Sequence, residues 1–355
     1  MSTTLALLAD PEVSPLPRAS GPTTVAPAPA RGPATAAPDV SVCIANWNCR
    51  GYLRECLASL LESPQGVSVE VIVVDNASSD GAADMVAEEF PDVLLVRNEH
   101  NVGFARASNQ AARRAAGRYI FFLNNDTIVP PMTLSRLVAF GDRHPQVGMI
   151  GPRLRDGNGR LQISYRRKPT LRAMLHRAAL LRWTGLFRRA YDEYRRDGFD
   201  PLGMRRVEVL MGAAVLMPRA AYEECGGWDE GFRFGVEDVE LSDRVGRTRP
   251  LVHLPGVEVI HFGRVSSRQN VTFATPNLMI GYVRYLRKSG ASRWALLVYK
   301  LVFTLDAPIQ LFGKALQYLW RSWSGTNAKK AQKSRLALSG GWCFLTRELG
   351  RFWRA

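Results

Sequence analysis

Cysteine is scarce in this chain, and its spacing excludes two kinds of stabilising chemistry. There are five cysteines among 355 residues, an odd number without a C-x-x-C pair. This pattern predicts neither a disulfide framework nor a zinc site, and it indicates a reducing compartment. The hydrophobic fraction of 46% is ordinary for a globular protein, which excludes wholesale disorder and a fibrous chain.

The sequence also lacks two common phosphate-binding loops. It contains neither G-x-G-x-x-G nor G-x-x-x-x-G-K-[ST], so neither a dinucleotide-binding turn nor a Walker-type loop is predicted.

Acidic residues are outnumbered by basic ones, 32 to 47, which gives a net charge of +15. Such an excess first suggests a nucleic acid or an anionic membrane as partner. The charge is concentrated near the C-terminus. Residues 277–355 hold fourteen Lys or Arg and two acids, a net of +12, whereas residues 40–276 carry +4 and residues 1–39 carry −1.

The composition predicts three regions. Residues 1–39 contain eight of the 21 prolines and have too little large apolar surface to offset the entropy of ordering, which predicts a disordered leader. The Leu5–Leu8 run is too short for a signal peptide. Residues 40–276 then form the predicted catalytic domain, and residues 277–355 form a basic helical region.

From residue 40 the chain alternates between short β-branched runs and helical patterns. Strands are predicted at 40–45, 69–74, 93–97 and 119–123, and helices at 51–62, 81–89 and 104–116. This alternation, with uniformly apolar strands, indicates an α/β fold with a mostly parallel sheet covered on both faces. Ligands of such sheets bind beyond the carboxyl ends of the strands.

Polar groups follow three of these strands. They are Asn46-Trp47-Asn48, the 75–80 segment Asp-Asn-Ala-Ser-Ser-Asp, and Asn124-Asn125-Asp126-Thr127. Each segment alone could simply cap the helix that follows. Three segments at one edge, together with Trp47, favour a ligand site.

An ordered set of motifs between about 40 and 270 resembles the family 2 glycosyltransferases. The motifs are 42–48 (VCIANWN), 73–81 (VVDNASSDG), 101–109 (NVGFARASN), 122–127 (FLNNDT), 212–219 (GAAVLMPR), 226–230 (GGWDE), 235–244 (GVEDVELSDR) and 261–266 (HFGRVS). The resemblance implies the glycosyltransferase A fold and inversion at the anomeric carbon. The NNDT and HFGRVS versions look most like rhamnosyltransferases of bacterial surface polysaccharides.

The resemblance also implies residues that bind the nucleotide sugar. The matching family aspartate places Asp75 on the pyrimidine imide N–H. Ala45 and Trp47 match base-contacting positions, and Arg106 and Asn109 are candidates for the same cleft, although a packed helix explains those two as well. Asn124 and Asn125 belong to the same predicted site.

Asp126 is the predicted metal ligand, because oxygen ligands suit Mg²⁺ or Mn²⁺ and such an ion neutralises a leaving diphosphate. The family often has Asp-x-Asp here, and this chain keeps only the last acid. His261 follows the apolar 257–260 run at another strand end. Its match to the family pattern makes it the second predicted ligand.

Glu237 and Asp238 are the predicted catalytic acids. An acidic pair after Gly235 suits the first turn of a helix, and a base needs a carboxylate within reach of the acceptor hydroxyl. The family places the base on the second acid, which here is Asp238. Gly212 and Asp229 are predicted near the acceptor or the sugar, and loops such as 153–170 and 207–215 are expected to surround the sugar.

The C-terminal region contains five of the eight tryptophans and two apolar segments, 294–305 and 307–320. Neither segment reaches the roughly 20 apolar residues of a membrane span. Amphipathic helices at an anionic membrane surface are predicted instead, and a helical subdomain packed on the catalytic core is the alternative.

The predicted enzyme is a metal-dependent inverting transferase at the inner face of the cell membrane. Its expected donor is dTDP-rhamnose, with UDP-galactofuranose, UDP-hexose or UDP-N-acetylhexosamine as alternatives, and its expected acceptor is a lipid-linked saccharide. A nucleic-acid-binding protein is disfavoured because no reader motif is present. A nucleotidyltransferase is disfavoured because 46–49 is not a Gly-rich loop. The sequence allows a homodimer without deciding the oligomeric state.

Overall fold

The computed structural model describes residues 37–195, 202–263, 270–323 and 328–355. The predicted leader lies outside the described residues except for its last three. Of these, Asp39 bonds to Ser68 and forms an ion pair with Arg118 at 3.0 Å, which fixes the chain where the first strand begins.

A mixed sheet dominates the described residues and contains nine strands. Its order is β3-β2-β1-β4-β10-β6-β11-β5, and β8 pairs with β11. β1, β2, β3, β4, β6 and β11 run parallel to one another, whereas β10, β5 and β8 run antiparallel. The strand bounds are β1 Val40–Asn46, β2 Val69–Asp75, β3 Leu94–Arg97, β4 Tyr119–Asn124, β5 Thr127–Ile128, β6 Met149–Arg155, β7 Tyr165–Arg166, β8 Arg205–Val207, β9 Val209–Leu210, β10 Ala214–Pro218 and β11 Leu251–His261.

Helices cover both faces of this sheet, as the alternating pattern predicts. One buried cluster joins α1, α2 and α4 to the sheet, and another joins α3 and α9 to the opposite face. Neighbouring residues of β4 point to opposite faces, with Phe121 in the first cluster and Phe122 in the second. The helix bounds here are α1 Arg50–Leu61, α2 Ala82–Glu89, α3 Phe104–Ala112, α4 Thr133–Arg143, α5 Leu171–Leu175, α6 Ala179–Thr184, α7 Arg188–Arg195, α8 Arg219–Glu224 and α9 Glu237–Val245.

One predicted helix is too long. The 104–116 pattern ends at Ala112 in the structure, because the chain must leave the helix to enter β4. The Gly117 amide donates to Ser41 Oγ at 2.7 Å. A Cβ at Gly117 would lie 2.6 Å from the Ser41 nitrogen, so the turn needs glycine at this close approach.

The C-terminal region consists of helices packed on the catalytic portion. A third buried cluster combines residues of α5 and α9 with residues of the C-terminal helices, including Met174, Val239, Tyr282 and Phe303. These helices are α10 Val271–Lys288, α11 Arg293–Trp323, α12 Ala328–Cys343, a π-helical turn Phe344–Glu348 and α13 Leu349–Arg354.

The two apolar segments at 294–305 and 307–320 form one continuous helix. α11 passes through Pro308 without ending. Among the described residues, α11 is the one helix with the length and apolar composition of a membrane span, and 28% of its most apolar window is buried inside the protein. The expected domain boundary after residue 276 falls within α10, so no break between elements marks it.

Candidate active site

The carboxyl ends of β1, β2 and β4 bring the predicted polar segments together. Asn46 Nδ2 donates to Asp75 Oδ1 at 2.8 Å, and Asn125 Nδ2 donates to Asn46 Oδ1 at 2.7 Å. This chain of contacts follows from parallel pairing, because Asn46 stands opposite Asp75 in the ladder. The three strand ends therefore share one hydrogen-bonded edge.

Asp75 is buried and is held by the turn that follows it. Ser78 donates to it twice, from the backbone N–H to Oδ2 at 2.9 Å and from the hydroxyl to Oδ1 at 2.6 Å. A carboxylate offers about four lone-pair directions. The two contacts from Ser78 and the one from Asn46 use three of them. One acceptor direction is thus left for a ligand N–H. Trp47 is half-buried directly after β1, and Ala45 packs on the cluster beneath the sheet.

Asp126 and His261 meet at the other side of this edge. His261 is the last residue of β11 and pairs with Thr127 of β5, and the Phe262 amide donates to the Asp126 carbonyl at 2.9 Å. His261 Nε2 lies 3.4 Å from Asp126 Oδ1 and 3.2 Å from Asn124 Nδ2. The first distance is longer than an ordinary N–H···O hydrogen bond.

Gln162 determines which ring nitrogen of His261 carries the proton. Its Nε2 donates to the His261 backbone carbonyl at 2.6 Å, which leaves Oε1 as the acceptor that lies 3.0 Å from Nδ1. Nδ1 then carries a proton, and in the neutral ring the Nε2 lone pair lies 3.2 Å from Asn124 Nδ2 and 3.4 Å from Asp126 Oδ1. A neutral imidazole nitrogen beside a carboxylate oxygen is a donor set that fits a divalent cation.

The protein supplies few ligands for such a cation. No group of three or more His, Cys, Asp or Glu side chains that could hold a metal occurs among the described residues. Mg²⁺ in phosphate-handling sites is commonly held by one or two protein ligands and by substrate phosphates. Asp126 and His261 therefore fit a cation that is completed by a bound diphosphate.

Asp238 lies at the start of α9 and is clamped by Arg166 of β7. Arg166 Nη2 lies 3.0 Å from both carboxylate oxygens, and the two side chains are only 11% and 13% exposed. Burial opposes the charge of Arg166, but the Asp238 carboxylate together with Tyr194 and Tyr282 outweighs burial and raises the pKa of Arg166. Gly212 leaves room beside this carboxylate, since a Cβ there would lie 3.2 Å from the Asp238 Cβ.

Glu237 differs from Asp238 in its hydrogen bonding, and its own pKa is raised. Its Oε2 is buried and makes no hydrogen bond. Burial, followed by the charge of Asp238, raises the pKa of Glu237 to about 8. Burial thus favours the protonated form of Glu237, whereas Asp238 is the acid of the pair that faces a cation, Arg166.

Two further predicted donor-binding residues, Arg106 and Asn109, make contacts with the 226–230 segment. The Asn109 amide donates to the Trp228 carbonyl at 2.9 Å and to Glu230 at 3.1 Å, and its oxygen accepts from the Trp228 amide at 2.9 Å and from Tyr222 at 2.7 Å. These four contacts use its whole hydrogen-bonding capacity. The geometry thus does not support a donor contact for Asn109, which instead ties α3 to the 226–230 segment. Arg106 is 53% exposed and lies 3.7 Å from Glu230.

Asp229 connects the same segment to α10. It accepts a bond from the Gly231 amide at 2.8 Å and pairs with Lys288, which also reaches Glu240 at 3.0 Å. Burial would raise the pKa of Asp229, but Lys288 and the Gly231 amide hold it below its usual range. Asp229 therefore shapes this loop through a charged contact with the C-terminal helices.

Gln162 and Arg166 both lie in the 153–170 loop that is expected around the sugar, but no sequence motif identifies either residue. Their partners lie 99 and 72 residues away. No local spacing signals such pairs.

The comparisons with known proteins agree on one family. The model "Glycosyl transferase family 2" matches residues 41–210. An N-acetylglucosaminyl-diphospho-decaprenol L-rhamnosyltransferase of Mycobacterium tuberculosis is 30% identical over 224 residues, which cover 59% of this chain and 71% of that protein. The O-antigen biosynthesis protein RfbC of Myxococcus xanthus is 28% identical over 223 residues, which cover 61% of this chain and 16% of that protein.

A solved structure supports the fold. The crystal structure of GalNAc-T7 with UDP, GalNAc and Mn²⁺ matches with a TM-score of 0.50 at 18% identity, covering 69% of this chain and 47% of that one. At this identity the likeness concerns the fold alone. The predicted glycosyltransferase A fold is confirmed.

Proposed function

Because the chain belongs to glycosyl transferase family 2, we propose that it is an inverting, metal-dependent transferase that moves rhamnose from dTDP-rhamnose to a lipid-linked saccharide. The observation that carries this proposal is the shared edge where Asp75, Asp126 and His261 converge. The relatives make surface polysaccharide synthesis the setting, since one acts on a decaprenol-linked sugar and another is an O-antigen protein.

The donor nucleotide would lie along this edge. The remaining acceptor direction of Asp75 suits a pyrimidine imide N–H. The half-buried Trp47, which follows the Asn46 that donates to Asp75, would offer an aromatic surface to the base. The diphosphate would then extend toward Asp126 and His261. A bound Mg²⁺ or Mn²⁺ would supply positive charge against the departing diphosphate.

Asp238 is the proposed base. Its carboxylate takes the proton of the acceptor hydroxyl, the hydroxyl oxygen forms a bond to the anomeric carbon, and the bond from that carbon to the diphosphate oxygen breaks. One displacement of this kind inverts the anomeric centre. Arg166 holds the carboxylate in a fixed orientation, and protonated Glu237 adds no second negative charge.

The acceptor is proposed to be lipid-linked, and the enzyme to work at the inner face of the cell membrane. Support comes from the decaprenol-linked acceptor in the name of the mycobacterial relative and from the basic C-terminal region.

The test is a screen of the purified full chain against nucleotide sugars, with Mn²⁺ or Mg²⁺ and a polyprenyl-diphosphate-linked acceptor, following released nucleoside diphosphate. dTDP-rhamnose should give the fastest acceptor-dependent release, and a chelator should abolish it. Faster release from a UDP-sugar would identify that sugar nucleotide as the donor instead of dTDP-rhamnose. Undiminished release in the presence of the chelator would refute the metal dependence.

The base assignment has its own variant. Asp238→Asn should reduce transfer by at least about 10²-fold, in line with the loss of a general base, while nucleotide binding measured by calorimetry stays within about twofold. Turnover near the wild-type rate would show that another group is the base.

A further inference from the structure

The outward side of α11 is a continuous apolar surface. Between Trp294 and Leu316 every exposed residue of this helix is apolar. We call this surface the apolar face and define it by the exposed large side chains Trp294, Val298, Leu301, Leu305, Ile309, Phe312, Leu316, Leu319, Trp320 and Trp323. Their spacing of three and four residues keeps them on one side of the helix.

Two charged residues inside the first half of α11, Lys300 and Asp306, point away from the exposed side. Asp306 is buried and accepts a hydrogen bond from the Ala179 amide, where α6 begins, at 2.6 Å. Lys300 is also buried and donates to the Trp353 carbonyl at 2.8 Å. These contacts remove from the exposed side the two charges that interrupt the apolar pattern in the sequence.

The inward side of α11 is held by protein. Leu296, Tyr299 and Phe303 belong to the buried cluster that the C-terminal helices share with α5 and α9. The second half of α11 packs on α12, where Arg321 donates to Ser334 at 2.8 Å. A helix fixed in this way cannot be surrounded by lipid on all sides.

The helix α6 contacts α11 and carries two exposed apolar side chains of its own. It is attached to α11 through Asp306, and Leu180 and Trp183 on it are 58% and 84% exposed. The adjoining residues 171–190 contain five arginines and no acid. The surface thus combines exposed apolar side chains with an excess of positive charge.

We propose that the apolar face docks on an anionic membrane, with α11 lying in the plane of the bilayer surface and its outer side immersed at headgroup depth. The proposal rests on the proposed function, because a lipid-linked acceptor is met at a membrane. Anionic lipid is favoured over a second copy of this chain by charge, since residues 277–355 carry +12 and two such surfaces would repel each other. Tryptophans at both ends of the face suit the interface between water and lipid.

The length of α11 also favours a flat orientation. Its 31 residues extend over about 46 Å at 1.5 Å per residue, which exceeds the roughly 30 Å hydrocarbon core. Lying flat, the whole apolar face meets one leaflet while the inward side stays on the protein.

Vesicle binding tests the docking without any sugar substrate. The full chain should sediment with vesicles that contain phosphatidylglycerol and bind much less to pure phosphatidylcholine vesicles. Phe312→Ser and Leu305→Ser should each lower the partition coefficient on the order of tenfold, as expected when one large apolar side chain is lost. Leu61→Ser is the matched control, since Leu61 is an exposed leucine on α1 and should leave binding unchanged.

Depth measurements test the orientation. Nitroxide labels are placed one at a time at four positions seven residues apart: Val298, Leu305, Phe312 and Leu319. The labelled chain also carries Cys225→Ser and Cys343→Ser, so that these two cysteines are not labelled. Equal depths support a flat helix. Depths that change by about 10 Å per step would show a span and overturn the proposal.

Other results would overturn the docking itself. Unchanged vesicle binding in both serine variants would show that the apolar face is not the contact surface. Equal binding to neutral and anionic vesicles would show that the protein does not recognise anionic lipid. Concentration-dependent dimerisation that the same variants abolish, without vesicle binding, would identify a second copy as the occupant. Release of nucleoside diphosphate with a water-soluble acceptor should persist in these variants, so a failed docking test is distinguishable from a failed transferase assignment.

Discussion

The side-chain amide of Gln162 holds His261 at two points, its ring and its backbone. Nε2 donates to the His261 carbonyl at 2.6 Å, and Oε1 accepts from Nδ1 at 3.0 Å. The backbone contact fixes the orientation of the amide, and the amide in turn fixes the tautomer of the imidazole. A polar partner behind a histidine ligand commonly changes metal affinity by 10- to 100-fold.

Gln162→Leu should therefore weaken Mn²⁺ binding by about 10- to 100-fold, because His261 loses both the partner of Nδ1 and the anchor of its backbone. The measurement is calorimetric Mn²⁺ titration of the full chain in the presence of a nucleoside diphosphate. Nitrogen NMR of the His261 ring should show the Nδ1–H form in the wild type and a mixture of tautomers in the variant.

Gln162→Glu separates the two contacts. A glutamate still accepts from Nδ1 but cannot donate to the backbone carbonyl, so the tautomer should persist while the ring position loosens. Gln317→Leu, at an exposed glutamine of α11, is the control. Equal Mn²⁺ affinity in Gln162→Leu and this control would exclude the positioning role.

Removing one partner of the ion pair between Arg166 and Asp238 should cost much stability, because both groups are buried and the remaining charge would be left unpaired. Arg166→Leu leaves the Asp238 carboxylate without its cation, and such a loss typically costs about 3–5 kcal/mol in the free energy of unfolding. Urea denaturation followed by circular dichroism measures it.

The exposed pair between Arg97 and Asp84, whose side chains are 51% and 67% exposed, provides the comparison. Arg97→Leu should cost no more than about 1 kcal/mol. Similar losses in the free energy of unfolding of the two variants would show that breaking the buried pair costs no more than breaking an exposed one.

The convergence of Asp75, Asn124 and Asp126 could be predicted because each residue stands at the carboxyl end of a strand in a parallel sheet. His261 could be predicted to end a strand for the same reason. The apolar runs of β1, β2 and β4 identified those strands, and the parallel arrangement brought their ends to one edge. Local pattern was sufficient there.

The rest of the site depends on contacts that sequence spacing does not encode. Arg166 meets Asp238 across 72 residues and Gln162 meets His261 across 99, and each pair forms only when a loop folds over the sheet. The continuity of α11 depends on distant contacts as well. Lys300 and Asp306 interrupt the apolar pattern in the sequence, yet each finds a buried partner in a distant segment.

The raised pKa of Glu237 predicts a specific pH dependence of stability. Burial, followed by the charge of Asp238, raises this pKa from its ordinary value of 4.5 to about 8. Between these values the unfolded chain has lost the proton that the folded chain keeps. Stability should therefore fall as pH rises from about 5 to 8, by at most about 1.4 kcal/mol per pH unit.

Glu237→Gln removes the ionisable group and should flatten this part of the profile, so that the variant gains stability relative to the wild type as pH rises. Urea denaturation between pH 5 and 8 measures both proteins. Parallel profiles would show that Glu237 is already ionised in the folded protein.

Asn109 and Asp75 should respond in opposite ways to substitution, because one connects two segments and the other faces the predicted nucleotide site. Asn109→Ala deprives the Trp228 backbone and Tyr222 of their partners. Unsatisfied buried groups cost about 1–3 kcal/mol each, so the free energy of unfolding should fall by several kcal/mol in total while nucleotide affinity of the folded protein stays within about twofold.

Asp75→Asn replaces one acceptor oxygen with a donor of similar size, so nucleoside diphosphate binding should weaken by roughly tenfold, which is the cost of one lost hydrogen bond to a charged group. Calorimetric titration of both folded variants with dTDP and with UDP, at a temperature below either unfolding transition, makes the comparison. A large loss of nucleotide affinity in Asn109→Ala, with no loss of stability, would show that Asn109 binds the donor.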